Sequence, residues 1–171
     1  MYSRTILRAI KNYQINIVIK ILVLSDFLIW SSAQLLSPIF AIFITDKING
    51  SIEAVGIASG IYLISKSIFE VPIGVFIDKT KSEKDDLYSA ISGTLLTALC
   101  FFALTFINSV WQLYILQAIF GFAAAIAFPG WYSIFTRHVD KGKEAFEWSL
   151  YDCLFGYWNG WRSCSGRFYS R

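Results

Sequence analysis

Four blocks of the chain are apolar over about twenty residues each, and this pattern restricts the fold more than any other feature. The blocks cover roughly residues 21–45, 54–77, 87–107 and 111–135, and a fifth begins near residue 145. A helix needs about 20 apolar residues to cross a hydrocarbon core of about 30 Å, whereas the strands of a membrane barrel are about half as long and alternate apolar with polar side chains. The sequence therefore predicts an all-α membrane protein, a helical bundle of four to five transmembrane helices.

Composition agrees with this interpretation. Hydrophobic residues make up 56% of the chain and charged residues 16%, whereas soluble domains average about 45–50% apolar and about 25% charged residues. The net charge of +3 is too small to indicate a nucleic-acid-binding protein. We therefore expect the chain to have a lipid bilayer as its partner and to bind no nucleic acid.

Residues that could carry metal or redox chemistry are few and scattered. The three cysteines and the single histidine form no CxxC pair and no other metal-ligand spacing: Cys100, Cys153, Cys164 and His138. No arrangement of nucleophile and base and no phosphate-binding glycine loop accompanies them. The sequence therefore predicts no metal site, no cofactor and no enzymatic activity.

Basic residues occur in every second connection between the blocks. They are concentrated in the N-terminal tail, the second loop and the fourth loop: Arg4, Arg8, Lys11, Lys20, Lys79, Lys81, Lys84, Arg137, Lys141 and Lys143. The first loop has one Lys against two acids, and the third loop has no basic residue. Because Lys and Arg are retained on the cytoplasmic side, we expect a multi-pass protein of the cell membrane with a cytoplasmic N-terminus.

Small residues at helical spacing indicate where helices pack closely. Gly56 and Gly60 form a GxxxG pair on the second block, and Gly121 and Ala125 form a similar pair on the fourth. Such faces let two helix backbones approach each other in lipid. Because GxxxG is common in apolar helices, we favour packing within one bundle over dimerisation.

The end of the second block carries a recognisable motif. The stretch "GVFIDKTK" has Gly74, then three residues, then Asp78 followed by Lys79. It resembles the signature loop between helices two and three of the major facilitator superfamily, although Lys81 stands where the family has a second Gly. The resemblance implies a gate loop on the cytoplasmic side, formed by Gly74, Asp78, Lys79 and Lys81. In physical terms, Gly74 allows close approach of a neighbouring helix, and the Asp78 carboxylate can reach water or a partner helix N-terminus.

The fourth block is similar to the same family's fourth helix. In "YILQAIFGFAAAIAFPG", Gln117 stands where the family usually has an Arg, and Gly121 follows one turn later. In relatives this Arg is associated with proton coupling, so Gln117 disfavours proton-driven transport. The resemblance covers roughly residues 12–156. It implies a fold of twelve helices in two halves that transports a solute by alternating access.

Polar residues inside the apolar blocks are candidates for contact with a substrate or a coupling ion, because ionisable groups are expensive in a membrane. They are Asp26 and Gln34 on the first block, Lys66 and Glu70 on the second, and Gln117 on the fourth. Lys66 and Glu70 share a helix face and could simply neutralise each other between helices. Asp26 could lie near the cytoplasmic interface, whereas Gln34 is close to the middle of its block.

The last residues break the pattern, because "GYWNGWRSCSGRFYSR" has no apolar period. When Arg is back-translated as CGN and Ser as AGY and the frame is shifted by one nucleotide, the tail yields approximately "IGMxGxAAAxxFI", which is typical of a membrane helix. We therefore expect three segments: a cytoplasmic segment 1–20, membrane helices one to four and the start of helix five at 21–156, and an atypical, frame-shifted tail 157–171.

Two functions stay open at this point. The first is transport of an unidentified small solute by a secondary transporter of which this chain is the N-terminal fragment, with the missing C-terminal half and the solute as its partners. The alternative is a small four-helix integral membrane protein that acts as a subunit or scaffold without transport.

Overall fold

A computed structural model describes residues 15–48, 50–80 and 82–153, without the side chains of 33–39, 41 and 80. Four helices follow one another along the chain: α1 (Ile17–Lys47), α2 (Ile52–Thr80), α3 (Glu83–Leu104) and α4 (Val110–His138). A fifth helix, α5, covers residues 144–153 of the described part. No strand occurs among the residues described, and the prediction of an all-α protein is confirmed.

Three of the described helices are long and apolar enough to cross a membrane. The qualifying segments are Ile52–Lys79, Glu83–Leu104 and Val110–His138, with 28, 22 and 29 residues. At about 1.5 Å per residue each exceeds a hydrocarbon core of about 30 Å. α1 has 31 residues, but its apolar block includes side chains outside the described ones, so its crossing stays a prediction.

Large apolar side chains point away from the rest of the chain along these helices. Ile64 of α2, Leu95 and Leu99 of α3, and Ile115 of α4 are each more than half exposed. In a soluble protein such exposure would indicate an interaction surface. On helices of this length it indicates the face that contacts lipid.

Helix ends differ from the boundaries of the apolar blocks. α2 continues through Asp78 and Lys79 to Thr80, although its apolar block ends near residue 77. α3 begins at Glu83, four residues before the block expected at 87. Charged residues can extend a helix beyond the hydrocarbon, so composition indicates where the membrane ends rather than where the helix ends.

The start of α3 explains why α2 and α3 are separate helices. Ser82 has extended backbone angles (φ −101°, ψ 124°), and its carbonyl oxygen accepts hydrogen bonds from the amides of Asp85 and Asp86. The first turn carries three acids, Glu83 and these two aspartates. Negative side chains at a helix N-terminus are stabilising because that end carries partial positive charge.

The described residues form two compact units, one of 15–31 with 137–153 and one within 32–136. The second unit has a small apolar core at the end where α1 finishes and α2 begins, made of Ile44, Ile48, Ala58, Ile107 and Leu113. At the same end the ammonium of Lys47 donates a hydrogen bond to the carbonyl oxygen of Thr105. This bond satisfies a carbonyl near the C-terminus of α3, which no helical amide could reach.

Candidate functional site

α4 packs against α2 through Gly121. A Cβ on this residue would meet the carbonyl oxygen of Tyr62, and it would lie 2.8 Å from the Cβ of Ser65. The Ser65 hydroxyl donates a hydrogen bond of 2.7 Å to the carbonyl oxygen of Ala118. Ala125, one turn after Gly121, is completely buried. Close backbone approach and a hydroxyl bond across the helices therefore hold this contact together.

The other predicted glycine pair is placed differently. A Cβ on Gly56 or on Gly60 would meet no atom within 4 Å among the residues that the structure describes. The same spacing of small residues thus corresponds to a contact on α4 and to an open face on α2. Helix packing at Gly56 and Gly60 stays a prediction.

Lys66 lies at the centre of α2, beside α4. It is the middle residue of the 29-residue helix. Its ammonium is 4.0 Å from the centroid of the Phe128 ring on α4 and 3.9 Å from Oε1 of Glu70, one turn later on α2. This separation is too long for a hydrogen bond, so the two charges form a loose ion pair while the aromatic face holds the cation.

The ion pair is only partly covered. The side chains of Lys66 and Glu70 are 23% and 31% exposed. The structure therefore brings these two predicted residues together, but it does not enclose them between helices in the part of the chain that is described.

Aromatic side chains of α2 and α4 contact each other before and after Lys66. Tyr62, one turn before Lys66, packs on Phe120 with the ring centroids 5.2 Å apart. Phe69, nearly one turn after Lys66, meets Phe122 edge to face at 5.0 Å. The contact of α2 with α4 therefore includes an aromatic pair on each side of Lys66 along the chain.

α4 also packs against α3 through small residues. A Cβ on Gly93 would meet the backbone of Ala127, and a Cβ on Gly130 would meet the carbonyl oxygen of Asp86. The Ser89 hydroxyl donates a hydrogen bond of 2.6 Å to the carbonyl oxygen of Ile126. This contact repeats the arrangement at Gly121, with glycine approach and a serine bond to a helix carbonyl.

A buried carboxylate lies at the end of this contact where α3 begins. Asp86 has no exposed surface, and its Oδ2 accepts a hydrogen bond of 2.9 Å from the hydroxyl of Ser133. Sequence reasoning missed both residues, because Asp86 stands in a run of charges that resembles a solvated loop. The sequence did contain one signal for a contact with another helix. Small or polar residues occur at i, i+3, i+4 and i+7, and therefore on one helix face, at Asp86, Ser89, Ala90 and Gly93.

The signature segment lies at the end of α2. Gly74 approaches α4, since its Cβ would be 3.9 Å from the Cβ of Pro129. Asp78 and Lys79 are exposed in the last turn, and Lys81 lies outside the described residues. The two described charges are therefore accessible to a partner.

Asp26 lies in the other unit and is 8% exposed. Its Oδ2 accepts a hydrogen bond of 2.9 Å from the hydroxyl of Tyr151 in α5. Tyr151 was not predicted as a site residue, because nothing in the sequence links two positions so far apart. The bond gives the carboxylate of α1 a specific partner.

The two glutamines complete the predicted set. Gln34 is in α1, but its side chain lies outside the described ones. Gln117 is half-buried on α4, one turn before Gly121 and therefore on the face that meets α2. Among the described residues, no group of three His, Cys, Asp or Glu side chains could hold a metal ion.

Comparison with known proteins gives one match. The family model of the Major Facilitator Superfamily matches residues 22–157, well over half of the chain. Comparisons with curated proteins and with solved structures gave no match. The matched range runs from early in α1 into α5 and includes the signature segment at Gly74 and Asp78. The chain therefore belongs to the Major Facilitator Superfamily of membrane transporters, the family that its sequence resembles.

Proposed function

We propose that this chain forms the N-terminal part of a secondary transporter that moves a small solute across the cell membrane by alternating access. The observation that carries the proposal is the family match over residues 22–157. Transporters of this family are built from two halves of six helices, and their substrates bind near the middle of the bilayer. α1 to α5 supply part of one half, and the remaining helices would come from further polypeptide.

In this proposal the end of α2 acts as the cytoplasmic gate loop. Gly74 lies beside Pro129 of α4, while Asp78 and Lys79 are exposed and can pair with groups of the second half. Lys81 would extend the basic stretch. Asp78→Asn should therefore impair transport and leave membrane insertion intact. Asp85→Asn is the matched control, because Asp85 is also exposed and loses the same charge.

The proposed contacts with substrate or coupling ion are the polar groups of the spans. Lys66 and Glu70 are supported by their position at the centre of α2, and Asp26 by its burial and its bond to Tyr151. Gln117 is supported by its place on the α4 face that meets α2. Gln34 is proposed from its position in the sequence alone.

We propose a cytoplasmic N-terminus, with the α2–α3 and α4–α5 connections on the same side. The excess of Lys and Arg in these segments supports this orientation. Single cysteines at Lys84 and at Asn108, in a variant without the native cysteines, provide the test. An impermeant thiol reagent added outside intact cells should label position 108 and leave position 84 unlabelled. Labelling of position 84 would contradict the orientation.

Two experiments test the function. Sequencing of the gene should show an open frame, shifted by one nucleotide near codon 157, that encodes seven or so further spans. The product of this frame, reconstituted in liposomes, should accumulate or exchange a small solute. A stop codon in every frame, together with a stable homo-oligomer of the 171-residue chain, would contradict the proposal and favour a small membrane subunit or scaffold.

A further inference from the structure

The charges at the centre of α2 point to a class of substrate. We propose that Lys66, Glu70 and Phe128 form a binding site for a zwitterionic solute of the α-amino acid type. The solute carboxylate binds the ammonium of Lys66, and the solute ammonium binds the carboxylate of Glu70. The proposal rests on the transport function above and names the substrate class.

The first argument is depth in the membrane. Lys66 is the middle residue of α2, about 21 Å from either end at about 1.5 Å per residue, and Glu70 is one turn further along. Secondary transporters bind their substrates near the bilayer midplane. Ionisable groups at this depth face the bundle interior or a water-filled cavity, because hydrocarbon is too unfavourable for them. The exposed parts of both side chains, 23% and 31%, therefore open toward such a space.

The second argument is unused binding capacity. The ammonium of Lys66 has three N–H donors. Its contacts in the described part of the chain are the Phe128 ring at 4.0 Å and the Glu70 carboxylate at 3.9 Å, neither of which is a hydrogen bond. Phe128 fixes the ammonium from the α4 side. Donors of Lys66 and oxygens of Glu70 are thus available to a solute on the open side.

The third argument is charge balance. The empty transporter must change conformation without an isolated charge at midplane, and the pairing of Lys66 with Glu70 meets this requirement. A zwitterion brings one charge of each sign on neighbouring atoms, so each protein charge gains a partner and the net charge stays the same. A simple anion would leave Glu70 without a cation, and a simple cation would leave Lys66 without an anion. The unpaired group would carry a large desolvation cost.

The test measures binding to the 171-residue chain in lipid nanodiscs. The probes are the standard amino acids, and for the one that binds most tightly, its methyl ester and its deaminated acid. The ester lacks the carboxylate and the deaminated acid lacks the ammonium, while the side chain is unchanged. We expect each analogue to bind at least about tenfold more weakly than the amino acid, which corresponds to about 1.4 kcal/mol.

Variants separate binding from folding. Lys66→Met and Glu70→Gln each leave one unpaired charge and should weaken binding at least about tenfold. The double variant Lys66→Met/Glu70→Gln removes both charges, so it should insert and fold yet not bind the amino acid. Lys84→Met, an exposed lysine on α3, is the control for loss of a positive charge and should bind like the wild type.

The outcomes are distinct. Binding of an amino acid that needs both of its charges and both protein charges supports the site. The site is overturned if no standard amino acid binds, if the ester or the deaminated acid binds as tightly as its parent, or if the double variant binds normally. Failure of the reconstituted transporter to move any solute would contradict the transport function and leave a demonstrated site intact. Transport of a solute that is not a zwitterion would overturn the site alone.

Discussion

Replacing Gly121 by alanine tests the contact between α2 and α4 directly. The new methyl carbon would meet the carbonyl oxygen of Tyr62 and would lie 3.0 Å from the amide nitrogen of Lys66. Both atoms belong to the backbone, which cannot rotate away as a flexible side chain could. The two helices must therefore move apart, and extra volume in a packed contact costs about 1–3 kcal/mol.

Gly56→Ala is the matched comparison on α2, where a Cβ would meet nothing within 4 Å in the described structure. Alanine is favoured over glycine inside a helix by about 0.5–1 kcal/mol, and this gain applies to both variants. In the difference between them the helix preference cancels. We therefore expect Gly121→Ala to be less stable than Gly56→Ala by about 1–3 kcal/mol, the overpacking term alone.

The assay is unfolding in mixed micelles, with SDS as the denaturant and loss of helical circular dichroism as the signal. The wild type and the two variants are compared under the same conditions. Equal stability of the two variants, or a less stable Gly56→Ala, would refute the close approach of α2 and α4. A lower stability of Gly121→Ala without any change in helical content at zero SDS would confirm that packing, not helix formation, is affected.

Three further predictions use the same chain. Ser89→Ala removes the hydroxyl bond to the carbonyl of Ile126 and should lower stability in the SDS assay by about 0.6 kcal/mol, the average for such bonds in membranes. Ser133→Ala removes a hydroxyl donor from the buried carboxylate of Asp86 and should cost about 1.5–3 kcal/mol, more than Ser89→Ala, because bonds to charged groups are stronger. The backbone amide of Gly142 donates a hydrogen bond to the Glu144 carboxylate and lowers the pKa of this group from its ordinary 4.5. The stabilisation of the folded state by this bond is therefore complete above pH 4.5 and is lost as pH falls through the lowered pKa. Glu144→Gln should abolish this acid dependence, measured as hydrogen exchange of the α5 amides in the two proteins at each pH.

The membrane-spanning character of the helices could be predicted from the sequence because it depends on composition over about twenty residues. Helix ends could not be predicted to the same precision. Asp78 and Lys79 are unfavourable in hydrocarbon but suit a helix end in water, so α2 extends past its apolar block. The same reasoning applies to α3, where the acids of the first turn form the beginning of the helix.

Contacts between helices were less accessible to sequence reasoning. Gly56 and Gly121 both stand in small-residue patterns, yet only Gly121 contacts another helix in the described structure. The difference depends on which face the fold turns toward a neighbour, and the pattern does not contain that information. Asp26 and Tyr151 are likewise far apart in sequence, and their bond is set by tertiary structure.

The two glycine contacts of α4 have a consequence for how this segment tolerates change. Gly121 fits against the backbone of α2, and Gly130, nine positions later, fits against the backbone of α3. Nine positions are two and a half turns of about 3.6 residues, so the two glycines point in opposite directions at a fixed spacing. A single inserted or deleted residue between them would rotate one glycine out of its place by about 100° and bring a larger side chain against a backbone. We therefore expect the length of residues 121–130 to be far less variable than their identities.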